Sequence, residues 1–228
     1  MKRLEQQHTL DDQRTFSSIW AIPDTYNRQM AVILAHGAGN DMHHPFMCFF
    51  HERLAAEGIL TVKFNFPYKE QGRKAPDRMP VLLAAWREIV RSVMTHPELA
   101  PQHLFLGGKS MGGRAASMLV AEGQSCRGLI FLGYPLHPPG KPDKPRSEHL
   151  FRIPCPMLFI QGTRDRLCGL KQLGPILDRL AAPVTLHVVE DGDHSFKVPK
   201  RTGRSEEEIR EEIAGVMIRW IHDHSKSD

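Results

Sequence analysis

Short apolar runs alternate with longer amphipathic segments along most of this sequence. The runs lie at 30–37, 59–66, 103–108, 128–135, 156–162 and 184–190. Continuous apolar runs of this length are typical of strands buried on both faces. Between them, helical spacing occurs at 46–57, 80–95, 111–122 and 170–180, and each connection is long enough to join parallel strands. The pattern predicts an α/β fold, a mostly parallel sheet flanked by helices.

Two local signals refine this outline. Pro175 is expected to kink or restart the helix at 170–180. Ser205, with Glu208 three residues later, forms a capping-box pattern that predicts a last helix with an apolar face.

Length and composition favour one ordinary globular domain. The chain has 228 residues, of which 41% are hydrophobic and 25% charged, as in a typical folded protein. We find no internal repeat and no shift in composition, so we expect a single domain over 1–228. The only biased segment, with five prolines between 135 and 146, lies in a loop that we place at 133–152.

Several classes of protein are disfavoured. The apolar runs are much shorter than the ~18 residues of a membrane-spanning helix, and the first residues lack the pattern of a secretory signal, so we expect a cytoplasmic protein without membrane contact. The four cysteines form no CxxC pair and are expected to be buried thiols. The net charge of +4 is spread along the chain, which disfavours nucleic acid as a partner. Nothing in the sequence indicates the oligomeric state.

The most informative segment is 104–120, LFLGGKSMGGRAASMLV, where a strand leads through a glycine-rich turn into a helix. Gly108, Ser110 and Gly112 form a GxSxG pattern in that turn. A sharp strand-to-helix turn strains the serine backbone and exposes its hydroxyl, while the glycines let neighbouring backbone approach. We therefore predict that Ser110 is a nucleophile. A purely structural glycine-rich turn is the alternative.

The same segment also suggests phosphate binding, because Gly108, Lys109 and Ser110 match the end of a Walker A loop. That loop requires another glycine five residues before Gly108, and this sequence has His103 there. The missing glycine excludes a P-loop.

A serine nucleophile needs a base, and the base needs a carboxylate to orient it. Asp165 follows the apolar run at 156–162, and His194 follows the run at 184–190. The order Ser, Asp, His is the one expected for this architecture. We predict His194 as the base and Asp165 as the orienting acid, with Asp191 and Asp193 as alternative acids whose expected role is turn formation.

An oxyanion formed by serine attack needs two backbone N–H donors. We predict Met111, which follows the nucleophile, and Ala38, in the loop after the first apolar run. His36 and Lys109 are candidate substrate-binding residues, although His36 is expected to hydrogen-bond within its own loop. A metal site formed by His36 with the nearby Asp41, His43 and His44 matches no known ligand spacing, so we expect no metal and no cofactor.

These motifs, HGAG at 36–39, GKSMGG at 108–113, GTRD at 162–165 and DGDHSF at 191–196, make the chain resemble the α/β-hydrolase superfamily over nearly its whole length. Within it, the chain is similar to the small cap-less group of dienelactone-hydrolase-like proteins and bacterial relatives of the testis-expressed and NSL-complex hydrolase-like proteins. The resemblance implies a sheet of about eight strands, with residues 7–22 supplying the first strands. Dienelactone hydrolases proper carry a cysteine nucleophile, so their substrate does not transfer to Ser110.

The resemblance implies hydrolysis of an ester, thioester or amide of a small soluble molecule. A cap domain would follow the sixth strand, but the short proline-rich loop there predicts an open cleft that suits short acyl groups. The alternative is a hydrolase fold that acts only as an interaction module; a fluorophosphonate probe separates the two, because only an activated serine reacts.

Overall fold

The computed structural model describes residues 1–226 and contains one eight-stranded sheet. The strands, in chain order, are β1 (Lys2–Thr9), β2 (Thr15–Ile22), β3 (Met30–Ala35), β4 (Leu60–Phe64), β5 (His103–Lys109), β6 (Gly128–Leu132), β7 (Met157–Gly162) and β8 (Val184–Val189). They lie side by side in the order β1-β2-β4-β3-β5-β6-β7-β8. β2 is antiparallel to both of its neighbours, and all other neighbouring strands are parallel. The predicted mostly parallel sheet of about eight strands is confirmed.

Helices cover both faces of this sheet. They are α1 (Pro45–Ala55), α2 (Pro67–Glu70), α3 (Met79–Met94), α4 (Met111–Ala121), α5 (Leu170–Leu177) and α6 (Glu206–Ser225), with short 3-10 turns at Glu148–Arg152 and Lys200–Thr202. Side chains of α1 and α6 form one apolar core with one face of the sheet, and those of α3, α4 and α5 form a second core on the other face. The Ser205 side chain accepts a hydrogen bond from the Glu208 N–H, so the predicted capping box begins α6.

The two ends of the sheet differ from the sequence prediction. The first strand begins at Lys2 rather than near residue 7. Its residues are mostly polar, and exposed positions alternate with half-buried ones up to the buried His8, so it has no continuous apolar run. The apolar run of the last strand, β8, predicts burial on both faces, but Leu186 and Val188 are 38% and 36% exposed. It is an edge strand, because among residues 1–226 only β7 pairs with it.

The helix predicted at 170–180 ends at Leu177, and Pro175 lies inside it. Proline has no N–H, so the Lys171 carbonyl lacks the amide four residues later. The helix nevertheless runs through Pro175 without a restart, and the Asp178 N–H donates to the Gly174 oxygen at 3.0 Å at its end. The four-residue helix α2 was not predicted, because it has no room for an apolar period.

Residues 133–152 form a loop with one 3-10 turn at Glu148–Arg152, and no cap domain is inserted there. Leu136 and Leu150 are each 1% exposed and belong to the core that contains α4. Within residues 1–226, no helix is long and apolar enough to cross a membrane.

Candidate active site

The turn between β5 and α4 places Ser110 in a strained backbone conformation. Its φ and ψ are 50° and −113°, a combination that a residue with a side chain rarely adopts. Neighbouring backbone leaves no room for side chains at the following glycines: a Cβ at Gly112 would lie 2.5 Å from the Ala35 carbonyl oxygen, and one at Gly113 would lie 2.7 Å from the Gly108 oxygen. The sequence therefore folds locally as the sharp turn that GxSxG predicts.

Ser110, His194 and Asp165 are brought together in a continuous series of hydrogen bonds. The Ser110 Oγ lies 2.8 Å from His194 Nε2, and His194 Nδ1 lies 2.7 Å from Asp165 Oδ2. A carboxylate only accepts, so Nδ1 carries the proton and Nε2 offers its lone pair to the serine hydroxyl. This is the arrangement that general-base activation of a serine requires.

The three side chains of this series differ in how far they are buried. The Asp165 side chain is fully buried, whereas the His194 side chain is 24% exposed and Ser110 is half-buried. The carboxylate is thus shielded from water while the reacting end remains open to a substrate.

Asp165 is oriented by Gln161, a residue for which the sequence predicts no role. The Gln161 Nε2 donates to Asp165 Oδ2 at 2.5 Å, and the Gln161 Oε1 accepts from the Tyr134 N–H at 2.9 Å. The Leu167 N–H donates to the other carboxylate oxygen at 2.7 Å. A glutamine within the apolar run at 156–162 was the available signal, because a buried amide requires hydrogen-bond partners.

The alternative acids have other partners. Asp193 Oδ1 accepts from the Ser195 and Lys197 N–H groups, at 2.7 and 2.9 Å, and Asp191 accepts from Arg201 at 2.7 Å. Both carboxylates hold the loop that carries His194 and take no part in the contact with its imidazole.

The two predicted oxyanion donors lie in the segments that border Ser110. Met111 is the first residue of α4, so its N–H has no acceptor within the helix. Ala38 is exposed in a turn that the Asn40 N–H closes on the Gly37 oxygen at 3.3 Å. A Cβ built at Gly37 would lie 3.6 Å from Ser110 Cβ, so this turn is adjacent to the nucleophile. The donor roles themselves stay predictions.

His36 is placed inside the fold. It is 0% exposed, its Nδ1–H donates to the Gly37 oxygen at 2.9 Å, and its Nε2 accepts from the Phe66 N–H at 3.2 Å. Burial lowers its pKa to about 4, consistent with this neutral ring. The predicted substrate contact for His36 is therefore corrected: both nitrogens are occupied by backbone, and His36 shapes the Gly37 turn.

Lys109 lies on the floor of a cavity of about 430 Å³ beside the nucleophile. The cavity opens between the Gly37 turn, the start of α1, the loop after His194 and the start of α6. Its walls combine apolar and charged side chains: Phe46, Met47, Phe196 and Ile209 with Lys197, Glu206 and Arg210. The substrate-binding role of Lys109 stays a prediction.

A second serine and histidine pair lies on the other side of α4. The Ser117 Oγ is 2.8 Å from His149 Nε2, but Ser117 is 0% exposed in the middle of the helix. Within residues 1–226, no carboxylate contacts the His149 ring, and burial lowers its pKa to about 4. A substrate cannot approach this serine, so the pair is structural.

The histidines at 36–44 are engaged in local structure. The His44 Nδ1 accepts from the Phe46 N–H at the start of α1, and Asp41 accepts from the His43 N–H. No group of three or more His, Cys, Asp or Glu side chains in the described chain is arranged to hold a metal ion.

Comparison with known proteins defines the class to which this fold and site belong. The model of the alpha/beta hydrolase domain family matches residues 28–222. The match covers β3 to α6, including Ser110, Asp165 and His194. The chain is a member of the α/β-hydrolase superfamily.

Solved structures share the fold over nearly the whole chain. A dienelactone hydrolase from Anabaena variabilis has a TM-score of 0.78 at 18% identity, with 97% of each chain covered. An α/β serine hydrolase homologue from Coxiella burnetii has a TM-score of 0.76 at 18% identity, covering 96% of this chain and 97% of that one. An α/β serine hydrolase without a lid from Xanthomonas campestris has a TM-score of 0.72 at 18% identity, covering 97% and 96%. The cap-less α/β-hydrolase fold is confirmed, and the predicted relationship to testis-expressed and NSL-complex proteins stays a prediction.

Proposed function

We propose that this protein is a serine hydrolase that cleaves an ester, thioester or amide of a small soluble substrate through an acyl-enzyme intermediate. The observation that carries the proposal is the series from Ser110 Oγ through the His194 imidazole to the buried Asp165 carboxylate, with bonds of 2.8 and 2.7 Å. The membership in the α/β-hydrolase superfamily supports it independently.

In the acylation half of the cycle, Ser110 Oγ attacks the substrate carbonyl carbon as His194 Nε2 takes the hydroxyl proton. The N–H groups of Met111 and Ala38 are the proposed donors to the oxyanion that forms, a charge that exists only in the transition state and intermediate. The imidazolium then gives its proton to the leaving group, and the acyl group remains on Ser110.

Deacylation repeats these proton transfers with water. His194 takes a proton from a water molecule, which attacks the acyl-enzyme, and the proton returns to Ser110 as the carboxylic acid leaves. Asp165 keeps Nδ1 protonated and stabilises the imidazolium at both stages. Gln161 holds the carboxylate in place throughout.

Reaction with a fluorophosphonate probe tests the proposal, because phosphonylation needs an activated serine and no knowledge of the substrate. We expect intact-mass analysis to show one adduct on the wild type, mapped to Ser110 by peptide sequencing. Ser110→Ala should remove the adduct, and Ser117→Ala, the matched serine of the second pair, should retain it. A wild type that stays unlabelled, while folded by circular dichroism, would overturn the proposal and favour an interaction module.

A further inference from the structure

Lys109 is a buried cation that the reaction cycle above does not use. It is 8% exposed at the end of β5, and no carboxylate within residues 1–226 lies within 4 Å of its ammonium group. Burial lowers its pKa to about 8, although Asp165 and Asp193 act in the opposite direction. A buried lysine without a direct acidic partner is rare and destabilising, so its position beside Ser110 calls for a role.

The Lys109 side chain follows a narrow path through the site. A Cβ at Gly37 would lie 3.4 Å from Lys109 Cγ, and one at Gly133 would lie 2.7 Å from Nζ. Two glycines thus leave space for the lysine chain. At its end, Nζ donates to the His194 carbonyl oxygen at 2.5 Å and lies 5.4 Å from the centre of the Phe196 ring.

This contact links the two segments whose separation matters most for a serine and histidine pair. Lys109 directly precedes Ser110, and its ammonium holds the backbone of His194. The rest of the histidine loop is closed on itself, since the Asp193 N–H donates to the Lys197 oxygen at 3.0 Å and the Phe196 N–H to the Asp193 oxygen at 2.9 Å. These bonds tie the loop together internally, and the hydrogen bond from Lys109 attaches it to the segment that carries the nucleophile.

We propose, resting on the serine hydrolase function, that Lys109 is a positioning residue: its ammonium holds the His194 carbonyl and so sets Nε2 at hydrogen-bond distance from Ser110 Oγ. Displacement of a catalytic pair by about 0.5 Å is enough to lower the rate. A charge-assisted hydrogen bond is suited to this task, because it is stronger than a neutral one.

The charge of Lys109 also predicts a pH dependence. The titratable groups that face Lys109 are Asp165, after β7, and Asp193 and His194, in the loop after β8. The other titratable or charged groups around the cavity are His44, Lys197, Glu206 and Arg210. As the pH rises through about 8, Lys109 loses its proton and the bond to His194 loses its charge. We expect the activity to decline there in the wild type.

The test compares Lys109→Met, which removes the donor at similar length, with Lys109→Gln, which keeps a neutral donor. The measured quantity is the second-order rate constant for fluorophosphonate labelling of Ser110, from pH 6 to pH 10. We expect Lys109→Met to label at least about tenfold more slowly than the wild type at neutral pH. Lys109→Gln should recover part of that loss and show no decline above pH 8. The matched control is Lys200→Met, which removes an exposed lysine that lies six residues after His194.

The outcomes separate the two proposals. If the wild type and Lys200→Met both fail to label, the serine hydrolase function is wrong. If the wild type labels and Lys109→Met labels within twofold of it with the same pH profile, the positioning role is wrong while the function stands. Equal losses in Lys109→Met and Lys109→Gln, with unchanged pH profiles, would also overturn it, since no donor or charge effect remains.

A direct readout of the imidazole covers the case in which Lys109→Met is too unstable to assay. We expect the proton between His194 Nδ1 and Asp165 Oδ2 to give a low-field proton NMR signal, because it lies in a short hydrogen bond of 2.7 Å. In Lys109→Gln we expect this signal at neutral pH to broaden or shift relative to the wild type, whereas Lys200→Met should leave it unchanged. An identical signal in Lys109→Gln, together with wild-type labelling, would contradict the proposal.

Discussion

Ser110 Oγ and His194 Nε2 lie 2.8 Å apart, although 84 residues separate them in the chain. Their strands are not neighbours, because β6 and β7 lie between β5 and β8. At the usual strand spacing, β5 and β8 are roughly 14 Å apart. The histidine loop therefore crosses back over the ends of β7 and β6. The residues at these two crossings are Gly162 and Gly133. A Cβ at Gly162 would lie 2.8 Å from the Asp193 carbonyl oxygen, and one at Gly133 would lie 3.1 Å from the His194 carbonyl oxygen. The contact between nucleophile and base depends on this close crossing.

Removal of any member of the series should nearly abolish hydrolysis of an activated ester. We expect Ser110→Ala, His194→Ala and Asp165→Asn each to lower kcat by at least about a thousandfold, because the three groups act as a unit. For the same reason, combining His194→Ala with Ser110→Ala should add little to the loss. Stopped or continuous assays with p-nitrophenyl acetate measure these effects. Losses that multiply in the double variant would argue against a common mechanism.

Gly162→Ala should displace the histidine loop. The new methyl carbon would meet backbone that cannot rotate away, with the Gly192 carbonyl carbon at 2.6 Å and the Asp193 oxygen at 2.8 Å. We expect kcat to fall at least about tenfold and the melting temperature to decrease, because overpacking forces a backbone shift.

The matched control is Gly215→Ala in the middle of α6, where the nearest contact of a Cβ would be the end of the flexible Arg219 side chain, at 3.4 Å. Alanine is favoured over glycine inside a helix by about 0.5–1 kcal/mol, so this variant should be as stable as the wild type or more so, with full activity. If Gly162→Ala behaves like Gly215→Ala, the close approach at Gly162 does not hold the histidine loop in place.

The sequence predicted the elements whose signals are local. The six strands β3 to β8 were predicted from continuous apolar runs, and the turn at Ser110 from its glycines, because each signal lies within a few residues. β1 carries no such signal, because its residues Lys2–Thr9 are mostly polar, and it was expected only from the resemblance to a family. The exposure of β8 depends on which strands lie beside it, which is a property of the whole sheet.

The same difference between local signals and properties of the whole fold applies to the active site. The order Ser, Asp, His indicated which residues meet, since all three follow strands whose carboxyl ends share one edge. The hydrogen bond from Lys109 to His194 and the support of Asp165 by Gln161 join side chains whose proximity depends on the folded loops. The glutamine in the apolar run at 156–162 indicates that Gln161 needs hydrogen-bond partners. No spacing in the sequence identifies Asp165 as its partner, or the His194 carbonyl as the partner of Lys109.

Two buried histidines should make the fold less stable in mild acid. His36 and His51 are 0% and 4% exposed, and burial lowers the pKa of each to about 4. Between about pH 6.5 and pH 4, the unfolded chain binds protons that the folded chain does not, so the free energy of unfolding falls as the pH falls. Each histidine contributes at most about 1.4 kcal/mol per pH unit in that window.

Urea denaturation from about pH 7 to about pH 4.5 measures this dependence. His51→Gln should flatten it, since glutamine can replace the donor to the Ile19 oxygen without taking up a proton. His43→Gln, at an exposed position, should leave the slope unchanged. A wild-type stability that stays level over this range would contradict the burial of neutral histidines.

Long acyl groups should gain little over short ones in kcat/KM. Each CH2 moved from water into an apolar site contributes about 0.8 kcal/mol, or roughly fourfold in kcat/KM. The loop at 133–152 cannot supply such a site, because Leu136 and Leu150 are already 1% exposed in the core. The cavity beside Lys109 mixes apolar side chains such as Phe46 and Ile209 with the charged Glu206 and Arg210, so only a short part of an alkyl chain can lie against apolar surface there.

We therefore expect kcat/KM for p-nitrophenyl esters to be highest from acetate to butyrate and to level off or decline beyond about C6. Ester concentrations below the onset of micelle formation keep the comparison valid for longer chains. Phe151→Ser tests whether the loop at 133–152 closes over the acyl group, because Phe151 is 40% exposed near the end of that loop. If the cleft stays open, the dependence of kcat/KM on chain length should be the same in this variant as in the wild type. Values that climb through C10, and that fall selectively for long chains in Phe151→Ser, would show instead that the loop closes over the acyl chain and buries it.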